Sequence, residues 1–93
     1  MKVIIVGGGK VGKTIIESML KEKHEIVLSD NDPTVVRNVS NLYDVMGICA
    51  NGTEYEKLLE AGADKADLFI AVTGSDELNM LSCFAAKKIG ASH

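Results

Sequence analysis

The sequence predicts an α/β fold, a parallel sheet covered by helices on both faces. Short apolar runs rich in β-branched residues alternate with longer segments of helical periodicity. A glycine cluster, Gly7 to Gly9 with Gly12, directly follows the first apolar run. The chain has 93 residues, of which 46% are hydrophobic, and this suits one domain over positions 1–93 with its own core.

The first half of the chain predicts two strand–helix units. Lys2–Val6 is expected to be a buried strand, residues 10–22 an amphipathic helix, and Glu25–Ser29 the second strand. Asp32 and Pro33 predict the start of the second helix, because aspartate caps free amide groups and proline suits the first helical position. The apolar helix faces are predicted to be Val11, Ile15, Ile16, Met19 and Leu20 in the first helix, and Val35, Val36, Val39 and Leu42 in the second.

The second half repeats the alternation. Residues 44–50 predict a weaker third strand, and Thr53-x-x-Glu56 matches a capping box at the start of the next helix. Residues 67–72 predict a fourth strand, and a last helix is expected from Asp76 to about Lys88.

The right-handed crossover rule and the glycine cluster favour the strand order 3-2-1-4. The sequence stops at His93, where a fifth strand would begin, so the fourth strand would be an exposed edge. Such edges are normally paired or covered. We therefore expect a Rossmann-like doubly wound parallel sheet truncated before a fifth strand, or a partner chain that covers the edge.

Charge and hydropathy exclude several classes of partner. The formal net charge is -3 and the pI about 5.3, so general nucleic-acid binding is disfavoured. No apolar run approaches the roughly 20 residues that span a bilayer, and the first apolar run is too short for a signal peptide. We expect a cytoplasmic location without direct membrane insertion.

Two cysteines and two histidines offer little chemistry. Cys49 and Cys83 are either a redox or metal-binding pair or two buried thiols, and their wide spacing favours buried thiols. His24 is expected in a helix-to-strand turn, and His93 is the last residue. No catalytic residue and no metal site are predicted.

The glycines have the spacing of a dinucleotide-binding turn, Gly7-x-Gly9-x-x-Gly12, between a predicted strand and a predicted helix. Gly7 would permit the tight turn, Gly9 would let the main chain approach a pyrophosphate, and Gly12 would let the helix pack on the strand. The helix amino terminus then offers N–H donors and partial positive charge to the phosphates.

Asp30 supplies the second element of this pattern. It ends the second predicted strand, eighteen positions beyond Gly12, where a carboxylate can accept hydrogen bonds from both hydroxyls of an adenosine ribose. A 2′-phosphate would meet like charge there, so NADP is disfavoured. The alternative is that Asp30 only helps to initiate the turn at Asn31, Asp32 and Pro33.

A second nucleotide-binding motif overlaps the first. Gly7-x-x-x-x-Gly12-Lys13-Thr14 matches the Walker P-loop, which would place Lys13 on terminal phosphates and Thr14 on magnesium. That motif also needs an acidic residue at the end of a later strand, and the third and fourth predicted strands end without one. It would also leave Gly9 and Asp30 without a role, so the dinucleotide interpretation is favoured.

Over its whole length, the chain resembles the amino-terminal KTN or RCK domain of TrkA-type regulators of potassium uptake. The resemblance is carried by the glycine cluster, Asp30 and the segment L-E-A-G-A-D-K-A-D-L-F-I-A-V-T-G. The resemblance implies a regulatory domain that binds NAD or NADH, or in some branches ATP and ADP. It also implies a peripheral location at the inner face of the membrane, a potassium transporter subunit as partner, and assembly into homodimers or rings.

The resemblance carries a set of nucleotide-binding positions to this chain. Two of them depart from the family: Lys10 stands where many relatives have arginine, and Asn51 stands where many have an acid. The first change replaces a planar fork with a point charge at the phosphates. The expected binding residues are Gly7, Gly8, Gly9, Lys10, Val11, Asp30, Asn31, Asn51, Gly52, Thr73 and Gly74.

A regulatory role is favoured over catalysis, because no histidine except the terminal His93 is near the predicted strand ends, there is no Tyr-x-x-x-Lys pattern, and no residues are left for a substrate domain. Asp76 and Glu77 could be an acid and a base, but they are better explained as acids in the first turn of a helix, where they complement its dipole. The alternatives are the cofactor-binding half of an NAD-dependent oxidoreductase and a structural adaptor with no ligand. In the last predicted helix, Met80 and Phe84 form a second apolar strip, which predicts a self-association surface.

Overall fold

A computed structural model describes residues 1–49, 62–73, 79, 83, 86, 87 and 90. The predicted strands and helices in this part of the chain are confirmed, with ends that differ by at most three residues (19 against 22 for the end of the first helix). The elements are β1 Lys2–Val6, α1 Lys10–Met19, β2 Glu25–Asp30, α2 Pro33–Leu42, β3 Met46–Cys49, a short 3₁₀ turn Ala63–Lys65, and β4 Leu68–Ala71.

The four strands form one parallel sheet in the order β3-β2-β1-β4, as the sequence predicts. β1 lies between β2 and β4, with Val6 opposite both Ser29 and Ala71. β2 also pairs with β3, where Asp30 lies opposite Cys49. All four carboxyl ends therefore meet at one edge of the sheet, which is where open α/β sheets bind ligands.

The core lies on both faces of this sheet, because alternate residues of a strand point to opposite sides. α1 and α2 pack on the same face, while the helical residue Ala86 packs on the other, so the sheet is doubly wound. The buried residues are Ile4, Val6, Val27, Ala66, Phe69 and Ala86 on one face, and Val3, Ile5, Ile16, Ile26, Leu28 and Val39 on the other.

The predicted apolar faces of the helices are buried only in their middle turns. Ile16 and Val39 are fully buried, but Val11 is 59% exposed, Leu20 37% and Leu42 67%. The prediction that Leu42 belongs to the inner stripe of the second helix is therefore wrong, and the apolar face predicted for the first helix is not buried at Val11 and Leu20. Each of these three residues lies in the first turn, the last turn or the cap of its helix.

Asp32 and Pro33 begin α2 as predicted. Asp32 is the N-cap, and its Oδ1 accepts a hydrogen bond from the Thr34 N–H at 2.9 Å. Pro33 occupies the first helical position, where its missing N–H has no cost.

The cysteine prediction is wrong, and the histidine prediction is right. Cys49 and Cys83 are both exposed, so they are not buried thiols. Cys49 ends β3, an edge strand of the four described strands, which explains its exposure. His24 lies between α1 and β2 as expected.

No helix in the described ranges is long and apolar enough to cross a bilayer.

Candidate functional site

Gly7 forms the sharp turn that ends β1. Its φ is +111°, a backbone conformation that L-residues with a Cβ rarely adopt. Its N–H donates to the Ser29 carbonyl at 2.8 Å, which joins the turn to β2. A Cβ at this position would lie 2.8 Å from the Val72 carbonyl oxygen, so both backbone conformation and packing require glycine here.

Gly8 and Gly12 are explained by packing within the protein. A Cβ on Gly12 would collide with the carbonyl oxygen of Gly7, so this glycine allows α1 to lie directly against the turn. This is the role that the motif predicts for Gly12. Gly8 is buried, and a Cβ there would lie 2.7 Å from Val35 Cγ1.

Gly9 is different, because nothing in the described structure requires it to be glycine. It is exposed and has an extended conformation with φ −76° that any residue can adopt. No described atom lies within 4 Å of where its Cβ would be. As far as the described residues go, the space beside Gly9 is therefore open to a ligand, and a side chain would fill it.

The amino terminus of α1 faces this open space without a side-chain cap. Gly9 is the N-cap residue and makes no capping hydrogen bond, and the first turn contains no acidic residue. Unpaired N–H groups and the helix dipole favour an anion at such a terminus. Lys10 begins the helix and is exposed, which adds positive charge, and the exposed Val11 adds an apolar contact surface.

Asp30 lies beside the glycine turn and is partly buried. Its Oδ2 accepts a hydrogen bond from the Gly8 N–H at 2.8 Å, and its Oδ1 accepts one from the Asp32 N–H at 2.9 Å. The second bond confirms that Asp30 initiates the turn into α2, and the first fixes it to the glycine turn as well. A carboxylate has about four acceptor positions, so the two that these amides use leave capacity for two hydroxyl donors.

Asn31 and Cys49 lie at the same end of the sheet. Asn31 is exposed, and its carbonyl oxygen lies 3.7 Å from Cys49 Sγ, which donates to it. Cys49 is not among the residues that the sequence predicts for the site. The available signal for its place beside Asp30 was its position near the end of the third predicted strand, next to the second strand in the predicted strand order.

Thr73 lies on the other side of the glycine turn, after β4. It is tied to Asn79, whose Oδ1 accepts hydrogen bonds from the Thr73 N–H at 2.8 Å and the Thr73 hydroxyl at 2.5 Å. Asn79 is also absent from the predicted binding residues, although it contacts one of them, Thr73. Its position in a predicted helix was the available signal, because asparagine is a poor helix former that often bonds to nearby backbone.

The structure brings together the predicted site residues that follow β1, begin α1, end or follow β2, and follow β4. These residues are Gly7, Gly8, Gly9, Lys10, Val11, Asp30, Asn31 and Thr73. Asn51, Gly52 and Gly74 lie outside the described residues, as do the capping box at Thr53 and Glu56 and the strip formed by Met80 and Phe84. Within the described ranges, no group of three or more histidine, cysteine, aspartate and glutamate residues is arranged to hold a metal ion.

The P-loop alternative is contradicted by where α1 begins. A P-loop needs an extended loop between its two glycines to surround the phosphates. Here the helix already begins at Lys10, so residues 10–12 are helical rather than an open loop. The Thr14 hydroxyl donates to the carbonyl of Lys10 at 2.9 Å, within the helix.

A separate pocket of about 390 Å³ lies at the opposite edge of the sheet, before β2 and β3. His24, Glu25 and Asp44 are among its lining residues. Nδ1 of His24 is buried and has no hydrogen-bond partner among the described atoms. The glycine turn and Asp30 lie at the other ends of the strands, so this pocket is not part of the candidate site.

Comparison with known proteins identifies the family. The TrkA-N domain family matches residues 3–92, nearly the whole chain. The chain belongs to the TrkA-N domain family. The resemblance noted from the glycine motif, Asp30 and the segment before Gly74 is therefore confirmed, and the parallel sheet of this TrkA-N domain has the Rossmann-like order that the motif predicts.

Several curated proteins are similar in sequence to this TrkA-N domain. A Trk system potassium uptake protein TrkA homolog of Methanothermobacter thermautotrophicus is 40% identical over 88 residues, 95% of this chain and 41% of that protein. A TrkA homolog of Archaeoglobus fulgidus is 41% identical over 93 residues, 100% of this chain and 21% of that protein. The Trk system potassium uptake protein TrkA of Vibrio alginolyticus is 38% identical over 86 residues, 92% of this chain and 19% of that protein. The chain thus spans between about one fifth and two fifths of the length of these relatives.

Proposed function

We propose that this TrkA-N domain binds an adenine dinucleotide, NAD or NADH, with ATP and ADP as the competing ligands. One observation carries the proposal: the Asp30 carboxylate is held 2.8 Å from the Gly8 N–H, next to open main chain at Gly9. A carboxylate for ribose hydroxyls beside a side-chain-free approach to a helix amino terminus is the arrangement that a nucleoside diphosphate requires.

The ligand would lie across the carboxyl ends of β2, β1 and β4. Its adenosine ribose would bond to Asp30, with the adenine bordered by Asn31 and by the proposed residues Asn51 and Gly52. Its pyrophosphate would lie over Gly7, Gly8 and Gly9, against the amino terminus of α1 with Lys10 and Val11 beside it. Whatever extends beyond the pyrophosphate would lie toward Thr73 and the proposed residue Gly74.

We further propose that the domain is a regulatory, non-enzymatic component of a potassium uptake system. This rests on the relatives, which are named Trk system potassium uptake proteins. In this proposal the domain acts at the inner face of the membrane, as a homodimer or ring that contacts a transporter subunit. A difference in nucleotide affinity between two assembly states of about 1–3 kcal/mol would change activity several-fold.

Titration calorimetry of the purified chain with NADH, NAD, ADP and ATP tests the binding proposal. We expect saturable binding of at least one dinucleotide, and no binding of any of the four would contradict it. The regulatory proposal is tested by measuring the same affinity for the free chain and for the chain assembled with its transporter. Equal affinities would contradict regulation by the nucleotide, and sustained oxidation of NADH with an organic acceptor would instead support an oxidoreductase.

A further inference from the structure

Asn79 makes three hydrogen bonds to a single residue, Thr73. Its Oδ1 accepts from the Thr73 N–H at 2.8 Å and from the Thr73 hydroxyl at 2.5 Å, and its Nδ2 donates to the Thr73 carbonyl at 3.3 Å. Both residues are partly buried. One side-chain amide therefore holds the main chain and the hydroxyl of a residue six positions earlier.

Thr73 transmits this constraint to the glycine turn. The Val72 N–H donates to the Val6 carbonyl at 2.8 Å, which extends the pairing of β4 with β1. A Cβ on Gly7 would lie 2.8 Å from the Val72 carbonyl oxygen and 3.1 Å from the Thr73 nitrogen. The segment that Asn79 holds is therefore packed on the turn without room for a methyl group.

The position of Thr73 separates it from the adenosine end of the site. Asp30 ends β2 on one side of β1, and Thr73 follows β4 on the other side. Since neighbouring strands are about 4.8 Å apart, these two strands are roughly 10 Å apart. A ligand with its ribose on Asp30 and its pyrophosphate at Gly9 reaches Thr73 only through groups beyond the pyrophosphate.

We propose that Asn79 is a positioning residue that sets the affinity for the part of the ligand beyond the pyrophosphate. It acts through Thr73, by holding Val72 and Thr73 against the Gly7 turn before the ligand arrives. Ordering of residues on binding costs free energy and weakens affinity. Residues that are already ordered in the free protein avoid this cost. This inference rests on the proposed function, because it assumes that an adenine nucleotide occupies the site.

The test compares four adenine nucleotides that extend to different distances along the site. AMP and ADP end at or before the pyrophosphate, whereas ADP-ribose and NADH extend beyond it. Asn79→Ala and Asn79→Leu remove all three hydrogen bonds, and leucine keeps the number and branching of the side-chain heavy atoms and suits a helix. Lys87→Ala is the matched control, because Lys87 is also helical and is exposed.

Calorimetry should show that both Asn79 variants bind ADP-ribose and NADH about tenfold more weakly than the unmodified chain, as expected for lost hydrogen bonds. AMP and ADP should bind within twofold of the unmodified affinity, and Lys87→Ala should leave all four affinities unchanged. Asn79→Leu provides the measurement if Asn79→Ala does not fold.

Two results would overturn the inference while leaving the proposed function intact. One is equal weakening of all four ligands, which would indicate that Asn79 serves only the stability of the domain. The other is unchanged affinity for ADP-ribose and NADH in both variants. By contrast, failure of the unmodified chain to bind any of the four ligands would contradict the proposed function itself.

Discussion

The Asp30 carboxylate accepts a hydrogen bond from the main-chain N–H of Gly8 at 2.8 Å, which ties the end of β2 to the turn after β1. The same carboxylate accepts a hydrogen bond from the Asp32 N–H, at the start of α2. The proposed ribose acceptor and the proposed pyrophosphate turn are thus one hydrogen-bonded unit. A ligand that contacts one part of this unit lies within reach of the other.

Replacing Gly9 should separate binding from stability. Gly9→Val places a side chain in open space, so the free energy of unfolding should change by less than about 1 kcal/mol. The same side chain would occupy the proposed pyrophosphate position, where overpacking by about 1–3 kcal/mol corresponds to roughly a fivefold to hundredfold loss of NADH affinity. Denaturant unfolding and calorimetry measure the two quantities.

Gly12→Ala is the matched comparison for this variant. Its Cβ would meet the carbonyl oxygen of Gly7, so the free energy of unfolding should fall by about 1–3 kcal/mol. Equal destabilisation by Gly9→Val and Gly12→Ala, or full NADH affinity in Gly9→Val, would contradict the assignment of the open space to the pyrophosphate.

Asp30→Asn should reduce NADH affinity and the preference for NADH over NADPH. The change removes the charge that favours two hydroxyl donors and disfavours a 2′-phosphate, and bonds to a charged acceptor contribute about 1.5–3 kcal/mol each. We expect roughly a tenfold to hundredfold loss for NADH and a much smaller loss for NADPH, measured by calorimetry.

Asp32→Asn controls for the loss of charge near the site. Asparagine is as good an N-cap as aspartate, so α2 should keep its start. NADH affinity should stay within twofold in this variant. If both substitutions weaken NADH alike, general electrostatics rather than a ribose contact would explain the effect of Asp30.

Cys49 should report occupancy of the site. It is exposed and lies opposite Asp30 in the β2–β3 register. In a Cys83→Ser background, the Cys49 thiol of the native protein should react with an aromatic disulfide reagent. Saturating NADH should slow this reaction several-fold, because the bound ligand covers the thiol. A reaction rate that NADH does not change would place the adenosine away from the end of β3.

Tyr43→Phe should lower stability at neutral pH and lose that effect in alkali. The Tyr43 hydroxyl donates to Glu17 Oε1 at 2.6 Å, and this bond, with lesser contributions from burial and the Glu17 charge, raises the pKa of Tyr43 above 10.0. The contribution is therefore fully present below about pH 10 and is lost as the pH rises through the pKa of the folded state.

Unfolding measurements on the unmodified chain and Tyr43→Phe, between neutral pH and about pH 11, check this prediction. Glu17→Gln keeps an acceptor and removes the charge, so it should lower stability less than Tyr43→Phe at neutral pH. A stability difference between the unmodified chain and Tyr43→Phe that stays constant across this range would contradict a role for the hydroxyl proton.

The sheet could be predicted because its signals are local. The β-branched run of β1, the cap at Asp32 and the glycine spacing each specify a structure within a few residues. The strand order followed from the handedness of the crossovers together with the glycine cluster. The same glycine spacing predicted that Gly12 lets the first helix pack closely on the strand, and in the structure Gly12 lies against Gly7 at the end of that strand.

Exposure and side-chain contacts were less predictable because they depend on neighbours distant in sequence. Helical periodicity placed Val11 and Leu42 on apolar faces, but it does not say where the sheet beneath the helix ends. Cys49 is exposed at the end of β3, an edge strand of the described sheet; the predicted strand order already placed β3 at an edge, but the spacing of the two cysteines carries no information about that position. The bond from Gly8 to Asp30 spans 22 positions, and no local pattern specifies it.

The central claim is that a nucleotide pyrophosphate lies on the main chain at Gly9 with its ribose on Asp30. A ¹⁵N–¹H spectrum recorded during NADH titration tests this claim most directly. The amide signals of Gly8, Gly9 and Lys10 should shift with a single saturating dependence on NADH, and these shifts should be lost in Asp30→Asn at the same concentrations. Saturable binding of NADH that leaves these three amides unshifted would contradict the claim.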